Sequence, residues 1–443
     1  MTAPAAVVAV DFGASSIRVC RVELGDAVPS LDVVHRFPHA PVAEGGVRRW
    51  DWAQLVAEME KGLALALEPG PVASIGLDTW GVDYGLLDGR GELVAPPVSY
   101  RDDRTAGYRS VVERLGGAEA LYGTTGVQLQ PFNTVFQVAA HDQDELGRAR
   151  HLVLLPELLV HHLTGEVLGE RTSAGTTGLV DITAGEWSAP LAEVVGLDAG
   201  VLPPILPAGT LVGTWQGVPI HLVGGHDTAS AVVAMGADVG PGSAFVSAGT
   251  WLLVGREQGS PDLSDRARRA NFANEIGALG GVRFLKNLAG SWLIERCRPA
   301  WGDPPVGNLM AAAEEVEAAG RSRVLDVGDP RFLNPDDMLA EVAAGLGVPV
   351  DAPPPLVTRG IVESQVAGTA RVLEELGSVT DVRVFGGAQS GLYRRLLAER
   401  TGLPVHAGPV EATALGNALV QGIALGAYDD LVEARHHLQA GSS

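Results

Sequence analysis

The sequence predicts an α/β protein made of two duplicated domains, each opening on a β-hairpin. Three observations carry that prediction. The chain has 443 residues, too long for one typical core and suited to two domains of roughly 200 residues each. Short apolar strands ending in Gly, Ser, Thr or Asp alternate with helical stretches. One pattern (strand, turn of small and hydroxyl residues, strand) occurs twice, roughly 240 residues apart, as a duplication would leave it.

Composition narrows the class. Apolar residues make up 46% and charged residues 19%, which suits a packed globular protein rather than a disordered one. Lys and Arg number 32 against 53 Asp and Glu, a formal charge of -21. So acidic a chain is a poor partner for nucleic acid or an anionic membrane surface. A phosphate ligand stays open, because backbone N–H groups and a metal ion supply local positive potential. Cys20 and Cys297 have no C-x-x-C spacing and suggest neither a disulfide framework nor a zinc site. The start of the chain lacks the basic, then apolar, pattern of a signal peptide, and no run approaches the ~20 apolar residues of a membrane span. A cytoplasmic, soluble protein is the expectation.

The first hairpin is expected over residues 7–10 and 17–22, with Asp11 ending its first arm. Between the arms, Gly13, Ala14, Ser15 and Ser16 offer unhindered N–H groups and two hydroxyls to phosphate oxygens. Asp11 could hold Mg²⁺ through water. A plain hairpin turn has the same composition. Asp51 is placed to cap a helix over 53–67. A strand over 73–77 ends in Asp78-Thr79-Trp80-Gly81-Val82-Asp83. There Trp80 could pack a sugar's apolar face and the two carboxylates could take its hydroxyls, with a core aromatic as the alternative. Residues 99–105 read as a charged loop, residues 130–134 as a loop that could face substrate, 153–163 as an apolar helix around Pro156, and 170–177 as a hydroxyl-rich loop.

Residues 220–223 run into Gly224 and Gly225, then His226-Asp227-Thr228, then a small-residue helix. Glycines there let backbone approach a ligand. Asp227 alone would read as an N-cap, and His226 as a structural histidine. The second hairpin follows: residues 243–247, the turn Ala248-Gly249-Thr250-Trp251, and residues 252–255. A helix is expected over 291–297 and another begins near 334–338. A proline-rich linker precedes a long helix over 356–376. A strand over 382–385 ends in Gly386-Gly387, a pair suited to a flat ligand such as adenine, and a helix over 392–401 follows. A last small-residue helix begins near Gly408, and Gly441-Ser442-Ser443 is expected to fray.

In this order the motifs resemble the FGGY family of carbohydrate kinases. The matching pieces are D-F-G-A-S-S from Asp11, D-T-W-G-V-D from Asp78, Y-R-D-D-R-T from Tyr100 and P-F-N-T from Pro131. They continue through G-H-D-T-A-S from Gly225, S-A-G-T-W from Ser247, N-F-A-N-E from Asn271, L-K-N from Leu285, N-P-D-D from Asn334, G-G-A-Q-S from Gly386 and G-P-V-E-A-T-A-L-G-N from Gly408. The resemblance implies two duplicated actin-like (ribonuclease-H-like) ATPase domains with an inter-domain catalytic cleft, spanning residues 1–237 and 238–432, with a tail over 433–443. It implies transfer of a phosphoryl group from ATP to L-rhamnulose with Mg²⁺. L-Fuculose, ribulose or xylulose as acceptor, or a non-enzymatic sensor, are the alternatives.

By the same likeness Asp227 is the general base, and Gly81, His226, Asp227, Thr228 and Asn287 hold the sugar. Ala14, Ser15, Ser16, Ile17 and Arg18 form the first phosphate turn, Thr250 belongs to the second, Gly386 sits by the adenosine, and Asp11 serves the metal. A helix start favours the charged form of Asp227. Ile17 stands where relatives usually have Gly, which makes that turn less permissive. Glu295 stands where relatives can carry Gln; a carboxylate repels a triphosphate, so it is left out of the nucleotide contacts.

Overall fold

The computed structural model describes residues 6–25, 28–316 and 323–438. The end of the chain at Gly441-Ser442-Ser443, expected to fray, lies outside them. The chain divides into two compact units. Unit 1 holds Met1–Asp238, Glu257–Phe284 and Ala412–Ser443; unit 2 holds Val239–Arg256 and Leu285–Glu411.

In unit 1 the predicted first hairpin is β1 (Ala6–Gly13) paired antiparallel with β2 (Ser16–Glu23), and β3 (Ser30–Pro38) extends it. On the other side β1 runs parallel to β4 (Ser74–Thr79). With β5 (Leu211–Trp215) and β6 (Val218–His221), the sheet order is β5-β6-β4-β1-β2-β3. In unit 2, β7 (Ser243–Ala248) pairs antiparallel with β8 (Trp251–Gln258) and parallel with β10 (Asp381–Phe385), given β9 as Val282–Ala289 and β11 as Val405–Ala407. The order there is β9-β8-β7-β10-β11, five strands of a six-stranded sheet. Both units therefore place an antiparallel hairpin beside parallel strands in the same sequence of neighbours, as duplication requires.

Alternation along β1 decides which face carries chemistry. Successive side chains of a strand point to opposite sides. Val8, Val10 and Phe12 enter one core with Leu55, Met59 and Leu63 of α1 (Trp52–Leu67) and Leu158 and Leu159 of α2 (Leu155–Thr164). Val7 and Ala9 enter another, with Val233 of α4 (Asp227–Val233) and Ala414, Ala418 and Leu419 of α7 (Ala412–Ala424), where α3 is Arg171–Gly175, α5 Pro354–Leu376 and α6 Gly391–Thr401. Asp11 shares the parity of Val7 and Ala9, and in β4 Asp78 has the parity opposite to the core residues Ile75 and Leu77. Both aspartates thus lie on the side of α4 and α7.

Most predicted elements are present. Asp51 caps α1 by accepting from the Gln54 N–H. Two expectations change. Residues 151–154 form a strand, and Pro156 sits in the first turn of α2, where its missing N–H costs nothing. The expected hydroxyl-rich loop at 170–177 contains α3, because the Glu170 carboxylate caps it from the N–H groups of Thr172 and Ser173. The last helices also group differently from a simple halving of the chain. α7 lies against β1 and β4, and Gln421 Nε2 donates to the Val8 carbonyl at 3.0 Å.

Candidate active site

Asp11 and Asp78 sit side by side because β1 and β4 run parallel in a register that aligns them. Arg18 on β2 holds Asp11, Nη1 to Oδ2 at 3.1 Å. Asp78 is fully buried and accepts from Asn417 Nδ2 of α7 at 2.6 Å; Asn417 is fixed in turn by Gln421 Nε2 at 2.7 Å. Burial, and then the Asp11 carboxylate, push the pKa of Asp78 well up, with the Asn417 amide pulling it back and the Asp227 charge raising it further. Asp11, Asp78 and Asp227 therefore share one electrostatic neighbourhood. Among the described residues no group of three or more His, Cys, Asp or Glu side chains is arranged to hold a metal ion by itself. Mg²⁺ generally takes one or two carboxylates and completes its shell with water and phosphate oxygens, so the Asp11 side of this pair fits it.

The turn at Gly224-Gly225 delivers the other half of the site. Thr79 at the end of β4 donates its N–H to the Gly225 carbonyl at 2.8 Å, so the turn is joined to the strand that carries Asp78. A side chain at Gly225 would collide with Ser173 Oγ and meet Glu157 Oε1 at 3.0 Å and Glu170 Oε2 at 3.1 Å. The N-cap of α4 is His226, not Asp227, and its side chain makes no cap bond. Asp227 is the first helical residue. Its Oδ1 accepts from the Thr228 hydroxyl at 3.1 Å, and its side chain is 25% exposed, so it is open to a reactant.

His226 is oriented from behind. Its Nδ1 lies 3.1 Å from Arg283 Nη2, and Arg283 is itself paired with Glu275 at 3.0 Å. A guanidinium can only donate, so Nδ1 is the acceptor and Nε2 carries the hydrogen. Nε2 faces Asp227 Oδ1 at 3.4 Å. The point where a side chain at Gly81 would begin is 3.4 Å from the same Nε2 and 3.2 Å from Thr176 Oγ1. Gly81, His226, Asp227 and Thr228 are thus brought together as expected, around a face lined by an N–H donor and a carboxylate.

The next residue, Val82, has φ 72°, a left-handed conformation that a β-branched residue rarely adopts. Thr134 Oγ1 and Gln137 Nε2 hold it there by donating to its carbonyl at 2.7 and 3.1 Å. The stretch 130–134 therefore supports the Gly81 turn: Gln130, Asn133 and Thr134 are buried. Trp80 and Asp83 are not arranged to meet a sugar. Trp80 is buried, 4.5 Å from the Trp50 ring, and both indole N–H groups donate to Asp83 Oδ2, at 2.9 and 2.7 Å. Burial lifts the pKa of Asp83 to about 6.

In the turn of the first hairpin, Ser15 is exposed and Ala14 and Ser16 half-buried, while Ile17 points into the core opposite Phe12. A core position explains how Ile17 stands where a glycine would otherwise serve, with its backbone in β2 between β1 and β3. In unit 2, Thr250 is half-buried in the turn between β7 and β8, and Asn287 lies on β9. Gly386 follows β10 with φ 95°, and an added side chain would meet the Ala248 carbonyl oxygen at 2.6 Å, so the glycine ties β10 to the end of the second hairpin. Glu295 pairs with Arg298 at 2.6 Å.

Reading the sequence missed Arg283, Glu275, Glu157, Glu170 and Asn417. Arg283 and Glu275 had one signal: charged residues inside short apolar strands, where burial demands a partner.

Comparison with known proteins gives a consistent result. Residues 6–241 match the model of the FGGY family of carbohydrate kinases, N-terminal domain, and residues 244–425 its C-terminal domain. A rhamnulokinase of Enterobacter sp. (strain 638) is 39% identical, over 94% of this chain and 88% of its own. A rhamnulokinase of Enterococcus faecalis is 35% identical, over 97% of this chain and 92% of its own. The crystal structure of ligand-bound xylulose kinase from Lactobacillus acidophilus superposes with a TM-score of 0.79 at 15% identity, covering 97% of this chain and 91% of that one.

Proposed function

The chain belongs to the FGGY family of carbohydrate kinases, and from that premise we propose that it transfers the γ-phosphoryl group of ATP to the 1-hydroxyl of L-rhamnulose. The observation that carries the substrate is the rhamnulokinase likeness over more than nine-tenths of the chain. The arrangement of Asp227, His226 and Gly81 supports the chemistry. A bond forms between the sugar's primary oxygen and the γ-phosphorus as the bond from that phosphorus to the bridging oxygen breaks, releasing ADP. The hydroxyl proton passes to the Asp227 carboxylate.

Phosphoryl transfer proceeds through a loose transition state, so alignment and charge stabilisation matter most. The Nε2–H of His226, which faces Asp227 Oδ1 at 3.4 Å, would donate to a sugar hydroxyl beside Gly81, where no side chain stands in the way. Thr228 and Asn287 would complete the sugar contacts. The backbone of Ala14, Ser15, Ser16, Ile17 and Arg18 would take phosphate oxygens with Thr250, and Gly386 would lie against the adenosine. Asp11 would hold Mg²⁺ through water, and the ion when bound supplies charge neutralisation at the phosphates. Arg18, already paired with Asp11, keeps that carboxylate in place. A cytoplasmic setting, where ATP is at hand, goes with this reading; among the described residues no helix is long and apolar enough to cross a membrane.

Release of ADP measured over a panel of ketoses and polyols tests the proposal. L-Rhamnulose should give the highest kcat/KM. A higher value with L-fuculose, ribulose or xylulose would replace the substrate, and no release with any of them would remove the activity.

A further inference from the structure

Two glutamates that take no part in the proposed chemistry lie directly beneath the turn that carries it. Glu157 comes from α2 and Glu170 caps α3; each is 1% exposed. Glu170 Oε2 accepts from the Thr172 N–H at 2.8 Å, the Thr172 hydroxyl at 2.5 Å, the Ser173 N–H at 3.3 Å and the Gly225 N–H at 3.0 Å. The Thr172 hydroxyl, its hydrogen given to Glu170, accepts the His226 N–H at 3.0 Å. One carboxylate oxygen therefore fixes, directly or through Thr172, the N–H groups of the two residues before Asp227. Since Thr79 grips the carbonyl of Gly225 from the opposite side, the peptide is held at both ends.

Glu157 contributes differently. Its Oε1 and Glu170 Oε2 both lie close to the point where a side chain at Gly225 would begin, at 3.0 and 3.1 Å, so the two carboxyl groups are brought together beside that glycine. Both oxygens of Glu157 and Oε1 of Glu170 are buried and accept no hydrogen bond of ordinary geometry among the described residues, although the Ser173 hydroxyl and nearby backbone lie close enough to Glu157 to favour its charged form somewhat. Two ionised carboxylates buried together in that position would repel each other strongly. A single proton between them joins one oxygen of each carboxyl group and leaves one charge, which the four donors to Glu170 Oε2 already stabilise.

We propose that Glu157 and Glu170 share one proton and act as positioning residues, the ionised Glu170 clamping the Gly225-His226 backbone and the neutral Glu157 keeping a second charge from beneath it. The direction in which burial moves both groups agrees with the geometry. Burial, and then the Glu170 charge, push Glu157 up to about 8, and burial raises Glu170 while its donors pull it back. The role rests on His226 and Asp227 acting as proposed, so its test includes a readout that needs no sugar.

Glu170→Gln should raise the KM for L-rhamnulose or lower kcat/KM for it at least about tenfold while the KM for ATP stays within about twofold, the size a lost set of charge-assisted hydrogen bonds implies. It should also speed hydrogen–deuterium exchange in the peptide covering residues 222–229. Glu157→Gln, which keeps a neutral donor of the same shape, should behave like the parent enzyme, whereas Glu157→Leu should resemble Glu170→Gln. Should Glu170→Gln not fold, Thr172→Val carries the same test, because it removes the acceptor of the His226 N–H. Unchanged exchange and unchanged sugar kinetics in Glu170→Gln or Thr172→Val would overturn the clamp. Equal damage from Glu157→Gln and Glu157→Leu would overturn the shared proton. A parent enzyme inactive on every sugar would refute the proposed reaction, yet the exchange experiment would still judge the clamp.

Discussion

Replacing Gly386 with alanine tests whether the second hairpin and the proposed adenosine position are one rigid piece. The new methyl would stand 2.6 Å from the Ala248 carbonyl oxygen, 3.2 Å from its carbon and 3.4 Å from the Ala248 nitrogen. Those atoms are backbone of β7, which is paired on both sides by β8 and β10, so it cannot step aside as a side chain would. Overpacking of this kind costs about 1–3 kcal/mol. A φ of 95° adds about 1–2 kcal/mol for a residue with a side chain. The expected loss is about 2–5 kcal/mol, read as a lower urea midpoint with an unchanged slope. The neighbouring Gly387 supplies the control. Nothing lies within 4 Å of a side chain there, and its φ is outside the left-handed range, so Gly387→Ala should unfold with the parent. In steady-state kinetics Gly386→Ala should raise the KM for ATP more than that for sugar. Equal stability of the two variants, within about 0.5 kcal/mol, would refute the reasoning.

Three further outcomes follow from the geometry. Asp227→Asn should keep the parent's circular dichroism spectrum and lose about 10²–10⁴-fold in kcat, the usual worth of a general base; a near-parental rate would remove Asp227 from that role. Glu157 keeps its proton in the folded state up to about 8, whereas the unfolded chain loses it near 4.5. The unfolded state then binds fewer protons across that window, so stability falls as pH rises, by up to about 1.4 kcal/mol per pH step. Glu157→Gln should flatten this slope in urea titrations at pH 5, 6 and 7, and an identical slope in both proteins would contradict it. Cys20 and Cys297 are both buried, and burial drives the Cys297 thiol up to about 12. A thiol reagent should therefore label neither in the native protein and both in denaturant; rapid native labelling would show the burial to be wrong.

What could be read along the chain was what depends on near neighbours. A hairpin needs two apolar arms and a small turn, all within 18 residues from Ala6 to Glu23, and both hairpins stand where the pattern put them. The Asp51 cap, the strand before Gly386 and the turn carrying His226 and Asp227 are local in the same sense. Trp80 was ambiguous for a physical reason: a sugar platform and a core aromatic have the same composition, and only the packing of Trp50 and the acceptor Asp83 separates them. The stretch 170–177 read as loop because its hydroxyl residues favour turns; what makes it helical is a capping carboxylate inside the core.

By itself the sequence determined the duplicated α/β class, the two hairpins with their small-residue turns and the stretch that carries Asp227. It did so because each is encoded by residues close enough to constrain one another's backbone. Only the tertiary structure decided how that stretch is held. Asn417 reaches Asp78 across 339 positions, Arg283 reaches His226 across 57, and Glu170 reaches Gly225 across 55. A buried polar group must find its partner wherever the fold brings one, and sequence order does not record which distant side chain that will be.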